Sequence, residues 1–286
     1  MRFEILHNLF QIEKGRHIYR KLKREYKVIY ISQHKAIGDA YLIGSYLKNY
    51  IKENDVLTYI GKASKEIYEL YEFKNLYELT QYKTNCLIKY LQFMEIPENY
   101  AKILHYQAIV EHTGFAFEFN GVNDLCFADL IEKCVFRNCR RQDRMFPQFN
   151  IRKEWSLIEE GNSVIIFPYA NTLYTPSQEF WNEIIKNYLD KGKKVYTYVY
   201  ENQCALNNTI PLNCNLKELN SMVEYAGEII GVRNGLMDLI GEANCKKTIY
   251  YPKHGAESWI EGSILKFWSL KNFGYKTICN EVEWDT

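Results

Sequence analysis

An aspartate, Asp39, follows Gly38 directly where a short apolar run, Val28 to Ile31, gives way to polar residues and then to a helical pattern. A carboxylate held at a strand-to-helix turn can take the proton of an attacking hydroxyl. The same position suits a residue that caps a helix, so chemistry competes there with a structural role. A second constellation, Arg233-Asn234-Gly235 with Asp238 in "GVRNGLMDL", follows a strand that ends at Val232 and opens a helix. Backbone N–H groups at a helix start attract phosphate, Gly235 admits it closely, and Arg233 can add two charge-assisted hydrogen bonds. Together they would stabilise a departing diphosphate without a metal. A structural alternative stands here too, with Asn234 as helix cap and Arg233 paired to Asp238.

Both constellations need a scaffold that sets strand ends beside helix starts. The chain alternates accordingly: strand 28–32, a helix from about 39 to 53, "DVLTYIG" as strand, then "KEIYELYEF" and "TNCLIKYLQFMEI" as helices. "KILHYQAIV" reads as strand and "NDLCFADLIEKCVF" as helix, before the charged segment 137–162, which lacks periodicity and reads as a connection. Alternation restarts with "SVIIFPYA", a helix opened by Pro176 and ended by Gly192, and strand "KKVYTYVY". Helix "LKELNSMVEYA", strand "EIIGVR", helix "NGLMDLIGEA" and strand "KTIYYP" follow, and a closing helix and a short extended piece complete the chain. Such alternation implies right-handed crossovers and parallel sheets, hence an α/β protein of two Rossmann-like domains, residues 1–150 and 151–286. In such sheets ligands bind beyond the carboxyl ends of the strands. That selects the loops Ser32–Asp39, Tyr169–Thr175, Tyr200–Asn202, Arg233–Asp238 and Pro252–Gly255.

Several function classes lose support. The formal net charge is +1, with 47% hydrophobic and 25% charged residues, so no global field favours nucleic acid. The eight cysteines include no C-x-x-C pair, which removes the usual zinc spacing. Neither G-x-G-x-x-G nor G-x-x-x-x-G-K-[ST] occurs, against a nicotinamide or P-loop site. No D-x-D stands at a strand end to hold a metal and diphosphate. The mixed, charged start and the lack of a long apolar run lead to the expectation of a cytoplasmic protein. Residues 5–25 carry Leu6, Leu9, Phe10, Ile18 and Leu22 beside Lys14, Arg16, Arg20, Lys21, Lys23 and Arg24. This is a basic amphipathic helix that either packs on the sheet or lies on anionic lipid at the inner face of the membrane.

The strand followed by "IGDAYLIGSYLKNY" resembles the S-x-x-G-D opening of heptosyltransferase-like bacterial glycosyltransferases. The second half is similar in order, from "FPYANTLYTP" to "NLKELNSMVEYAGEIIGVRNGLMDLIGEA". That family usually has D-[ST]-G-x-x-H in the second-domain loop. Here the loop is R-N-G-x-x-D, closer to an R-S-G-x-x-D variant of bacterial surface-polysaccharide enzymes. The resemblance implies the GT-B arrangement, two Rossmann-like domains facing a central cleft. It also implies that Asp39 is the catalytic base, and that Arg233, Asn234, Gly235 and Asp238 meet the donor. Asn171 and Thr172, beyond a strand, would bond the donor phosphates, and Glu201 would lie near the ribose. His34, Lys35 and Gly38 would flank the acceptor or a phosphate. The implied activity is metal-independent, inverting transfer of a sugar from a nucleotide diphosphate donor to a glycan or lipid-linked acceptor, with no cofactor besides that donor. Two alternatives stand beside it: a GT-B-like shell without turnover that serves as a partner subunit, and a sugar-nucleotide epimerase.

Overall fold

Short apolar runs bounded by polar turns make the strands of two parallel sheets. The computed structural model describes residues 2–105, 126–137, 140–149, 155–171, 173–200, 202–253, 264–275 and 279–285. Thr172, Glu201 and His254, and the part of "KILHYQAIV" beyond residue 105, lie outside them. The chain divides into two units, residues 1–122 with 129–147 and residues 123–128 with 148–286.

In the first unit the elements run α1 (Arg2–Lys23), β1 (Ile29–Ile31), α2 (Ile37–Leu47), β2 (Val56–Tyr59), α3 (Gly61–Leu70), β3 (Leu76–Glu78), α4 (Gln81–Phe93) and β4 (Ala101–Ile103). The sheet order is β3-β2-β1-β4, all parallel, with Ile29 beside both Val56 and Ala101. β1 and β2 are buried throughout, as strands covered on both faces must be. Ile29, Ile31 and Val56 pack with Leu22 of α1 and Leu87 and Leu91 of α4. Helix α1 crosses α4 at Gly15, where a Cβ would stand 2.1 Å from the Cys86 carbonyl oxygen. Its second half is docked, whereas Ile5, Leu6, Leu9 and Phe10 remain exposed. The cations are largely engaged by the protein itself: Lys14, Lys21 and Lys23 lie over the rings of Tyr82, Tyr77 and Tyr100. Farther along the chain a short helix, α5 (Phe127–Leu130), runs into a π-turn at Ile131–Val135.

The second unit follows with β5 (Ser163–Phe167), α6 (Gln178–Asp190), β6 (Lys194–Tyr198), β7 (Ile210–Leu212), α7 (Leu219–Ala226), β8 (Gly227–Val232), α8 (Gly235–Leu239), β9 (Lys246–Pro252), α9 (Ile264–Trp268) and β10 (Cys279–Trp284). These strands form one parallel sheet, β10-β9-β8-β5-β6-β7. Val164, Ile166, Val195, Ile230 and Val232 pack against Trp181 and Ile185 of α6.

Several boundaries differ from the sequence reading for local reasons. Helix α2 begins at Ile37, and its N-cap is Ala36, without a side-chain cap bond. Pro176 precedes α6 rather than opening it; Ser177 is the cap, its Oγ accepting from the Phe180 N–H. Gly192, at φ +75°, ends that helix as expected. The strands β3 and β7 were not foreseen. The terminal extended piece is a full edge strand, β10, paired with β9 from Cys279 to Trp284.

Candidate functional site

A parallel sheet opens a crevice where neighbouring strands send their connections in opposite directions. In the first unit that point lies between β1 and β4, and in the second between β5 and β8.

At the first point the loop after β1 is tied down along its length. The Ser32 N–H donates to the Thr58 carbonyl at 3.1 Å, and Ser32 Oγ meets Tyr68 Oη at 2.6 Å. The His34 N–H reaches Ser32 Oγ at 3.3 Å, and Ser64 Oγ donates to the His34 carbonyl at 2.6 Å. This loop delivers a buried imidazole to the start of α2. His34 Nε2 lies 2.8 Å from the Leu104 carbonyl oxygen, and Nδ1 lies 3.4 Å from Asp39 Oδ2. The His34 side chain is 1% exposed and that of Asp39 38%, so the carboxylate has one edge on the ring and another toward solvent. Asp39 sits in the first turn of α2 and is not its cap. Gly38 beside it is buried, whereas Lys35 is exposed.

His105, just beyond β4, was not singled out from the sequence. It stacks on His34 with ring centroids 4.7 Å apart. Burial, then the adjacent His34, pushes His105 down to about 4, against a smaller opposing effect of Asp39, so its ring is neutral near pH 7. Tyr68 behind Ser32 is pushed up by burial and stays protonated. The only signal in the sequence was an HKAIGD spacing that carries His34 and Asp39 across a helix start. Leu104 and His105 reach the site through strand pairing some seventy residues later.

At the second point the side chains are turned inward. Arg233 Nη1 and Nη2 each donate to Asp238 at 2.8 Å, a bidentate pair with both side chains buried. Arg233 Nε donates to the Trp268 carbonyl at 2.9 Å, Nη1 also reaches the Asn234 carbonyl, and the guanidinium lies over the Phe273 ring. Desolvation by burial is the largest single effect and works against its charge, but the Asp238 carboxylate with its hydrogen bonds, together with Tyr251 and Tyr275, outweighs it and holds the guanidinium more firmly protonated than usual. Asn234 caps α8: its Oδ1 accepts from the N–H groups of Leu236 and Met237 at 2.9 and 3.2 Å. Its Nδ2 donates to the Tyr169 carbonyl at 2.8 Å, fastening the loop after β8 to the loop after β5. Of the two sequence readings of this motif, the geometry matches the structural one for Arg233, Asn234 and Asp238. Gly235 is half-exposed at the helix start and Asn171 is exposed beyond β5. Among the described residues no group of His, Cys, Asp and Glu is arranged to hold a metal.

No protein-family model and no curated protein matches the chain. Solved structures do. The crystal structure of the glycosyl transferase family 9 from Veillonella parvula DSM 2008 aligns over 92% of this chain and 86% of its own, with TM-score 0.53 and 10% identity. The E. coli ADP-heptose lps heptosyltransferase II aligns over 79% and 85% respectively, with TM-score 0.50 and 12% identity. The iron-containing dodecameric glycosyltransferase TibC from enterotoxigenic E. coli H10407 gives TM-score 0.50 and 11% identity, over 79% of this chain and 58% of that one. At such identities the likeness is one of backbone architecture, and the chain has the two-sheet α/β fold of these GT-B-like glycosyltransferase structures.

Proposed function

We propose that the protein is a metal-independent, inverting glycosyltransferase that moves a sugar from a nucleotide diphosphate donor to a glycan or lipid-linked acceptor, in bacterial surface-polysaccharide synthesis. The observation that carries this reading is Asp39: a half-open carboxylate, rigidly set at the switch point of a sheet whose fold glycosyltransferases share. Asp39 takes the proton of the acceptor hydroxyl as its oxygen attacks the anomeric carbon and the diphosphate leaves from the opposite face. His34 and Gly38 shape the base, and Lys35 faces acceptor or phosphate. On the donor side Asn171, Thr172 and the backbone at Gly235 meet the phosphates, with Glu201 toward the ribose, while Arg233, Asn234 and Asp238 brace the loop. The nucleotide sugar is a substrate, and no resident cofactor is required.

Nucleoside diphosphates test the donor side without knowledge of the acceptor. Among UDP, GDP, CDP and ADP, one is expected to raise the melting temperature, because a ligand at 100 times its Kd adds about 2.7 kcal/mol to the native state. No shift with any of the four at millimolar concentration would remove the donor site. The inward-turned Arg233 and Asn234 favour a second reading, a GT-B-like partner subunit without turnover. Slow hydrolysis of a nucleotide sugar by the purified protein excludes that alternative.

The exposed end of α1 supports placement at the cytoplasmic face of a membrane. Among the described residues no helix is long and apolar enough to cross one. Ile5, Leu6, Leu9 and Phe10 stand free to enter the headgroup region, with Arg20, Lys21 and Lys23 in the last turn of the same helix. The protein is expected to sediment with anionic vesicles more than with neutral ones and to be partly released by salt, which screens charge beyond roughly 8 Å at physiological strength. Leu6→Ser with Phe10→Ser should abolish sedimentation; equal recovery with both vesicle types would remove the electrostatic share.

A further inference from the structure

We propose that Glu218, on the wall of a cavity beyond β6 and β7, selects guanine as the base of the donor, so that the substrate is a GDP-sugar. This rests on the reading of the second unit as the nucleotide side. The cavity, about 330 Å³, is lined by Tyr198 and Tyr200 at the exit of β6 and by Asn213, Asn215 and Glu218 beyond β7. That volume lies at the lower end of small-ligand sites, roughly 300–1,000 Å³. β6 and β7 pair in parallel with Tyr198 beside Leu212, so the two exits lie on the edge where β5 and β8 also end. From the β5–β8 crevice to the gap between β6 and β7 is two strand spacings, about 10 Å. A ribose and its phosphates bridge a gap of that order, with the diphosphate at Gly235 and the base over β6 and β7.

The walls are fixed by the chain itself, which spares a ligand the cost of ordering them. The Val199 N–H donates to the Leu212 carbonyl at 2.9 Å, carrying the ladder one residue past the strands. Tyr198 Oη donates to the Cys214 carbonyl at 3.3 Å, and its ring stacks on Phe167 with centroids 5.0 Å apart. The Tyr200 N–H donates to Gln203 Oε1 at 3.1 Å, and the Glu218 N–H to the Asn215 carbonyl at 2.9 Å. Glu218 closes a short helical turn, Leu216–Glu218, where α7 begins, and its carboxylate makes no capping bond to that helix. Asn215 likewise makes none to the turn it opens. Helix capping therefore accounts for neither polar side chain.

Among the described residues Glu218 is the one acid on the lining. A carboxylate only accepts hydrogen bonds, and its two oxygens side by side match two adjacent N–H donors. Guanine offers that pair, N1–H and the exocyclic N2–H. Adenine and cytosine set an amino group next to a ring-nitrogen lone pair, and uracil sets one N–H between two carbonyl oxygens. Each of these turns a lone pair toward the carboxylate, which repels it. The amides of Asn213 and Asn215 both donate and accept, so they suit any base edge. A tyrosine ring at Tyr200 likewise stacks on any base. The choice between bases falls to Glu218.

Calorimetric titration of the full-length protein with GDP, IDP, ADP, UDP and CDP tests the choice. Inosine diphosphate keeps N1–H and O6 of guanine and lacks only the amino group. The wild type is expected to bind GDP at least about 10-fold tighter than each of the other four, the lower range for a charge-assisted hydrogen bond. Glu218→Gln keeps the shape, should keep the melting temperature, and should bring the GDP-to-IDP affinity ratio close to one. An equal loss for all five diphosphates in that variant would put the carboxylate on the ribose and overturn the selection of guanine. IDP, ADP, UDP or CDP binding the wild type as tightly as GDP overturns it as well, whatever the stability of the variant. Binding of none of the five overturns the donor reading itself, a result separate from a wrong base.

Discussion

Asparagine in place of Asp39 is expected to cut sugar transfer by about 10²–10⁴-fold, the share a positioned general base contributes. Melting temperature and nucleoside diphosphate affinity should stay near wild type. The geometry makes this a clean substitution. Helix α2 is capped at Ala36 without any side-chain bond, so Asp39 is not needed to start it. The lost helix-dipole interaction is worth only about 0.3–1 kcal/mol at a partly exposed first-turn position. Asn has nearly the same shape, can face His34, and cannot accept the hydroxyl proton. Transfer at close to the wild-type rate would mean that another group is the base.

The second large effect is on stability. Arg233→Ala strips a buried carboxylate of its bidentate partner and is expected to cost about 3–5 kcal/mol, the range for breaking a buried pair from one side. For a protein of this size that is a fall of roughly 10 °C in melting temperature. Asp238→Ala should do the same, since it leaves the buried guanidinium with the Trp268 and Asn234 carbonyls in place of a carboxylate and removes the Oδ1 that lies 3.3 Å from the Tyr275 hydroxyl. The double substitution should cost less than the two single ones added, because they remove one shared interaction. Arg233→Lys can restore charge but not the planar fork, so it should recover only part of the loss. Thermal unfolding and nucleoside diphosphate affinity, measured on the same variants, decide the role. Affinity kept while stability falls makes the pair a brace. Affinity lost with stability kept returns Arg233 to the diphosphate.

How far the fold could be read from the sequence depended on how each element is stabilised. β1, β2, β5 and β8 are largely apolar, interrupted by Thr58, Ser163 and Glu228, because both faces of a parallel strand are covered, and they stand out from their flanks. β3 escaped notice because Leu76 and Tyr77 are only partly covered and Glu78 is exposed. β7 escaped because it contains Pro211 and lies at an edge, where a missing N–H is tolerated. The candidate site was legible where it is local. Asn234 as a cap and Arg233 beside Asp238 lie within five positions of each other, and both were open alternatives from spacing alone. The enclosure of His34 was not legible, since it depends on Leu104 and His105 arriving through the β1–β4 pairing. Thr172 and Glu201 lie outside the described residues and keep the roles that the resemblance implies.

The strand order of the two sheets also bears on self-association. An uncovered edge is a template on which a second chain can add a strand. Among the described residues β3 and β4 offer only three residues each, too few for a durable ladder, and Pro211 removes a donor from β7. β10 is the long edge, six residues from Cys279 to Trp284, with Asn280 and Glu283 exposed along it. A copy adding there in register would bring Glu283 beside its own counterpart, at the roughly 4.8 Å spacing of neighbouring strands. Charge on this one rim thus opposes the pairing of two copies through β10, and a neutral residue at position 283 would weaken that opposition.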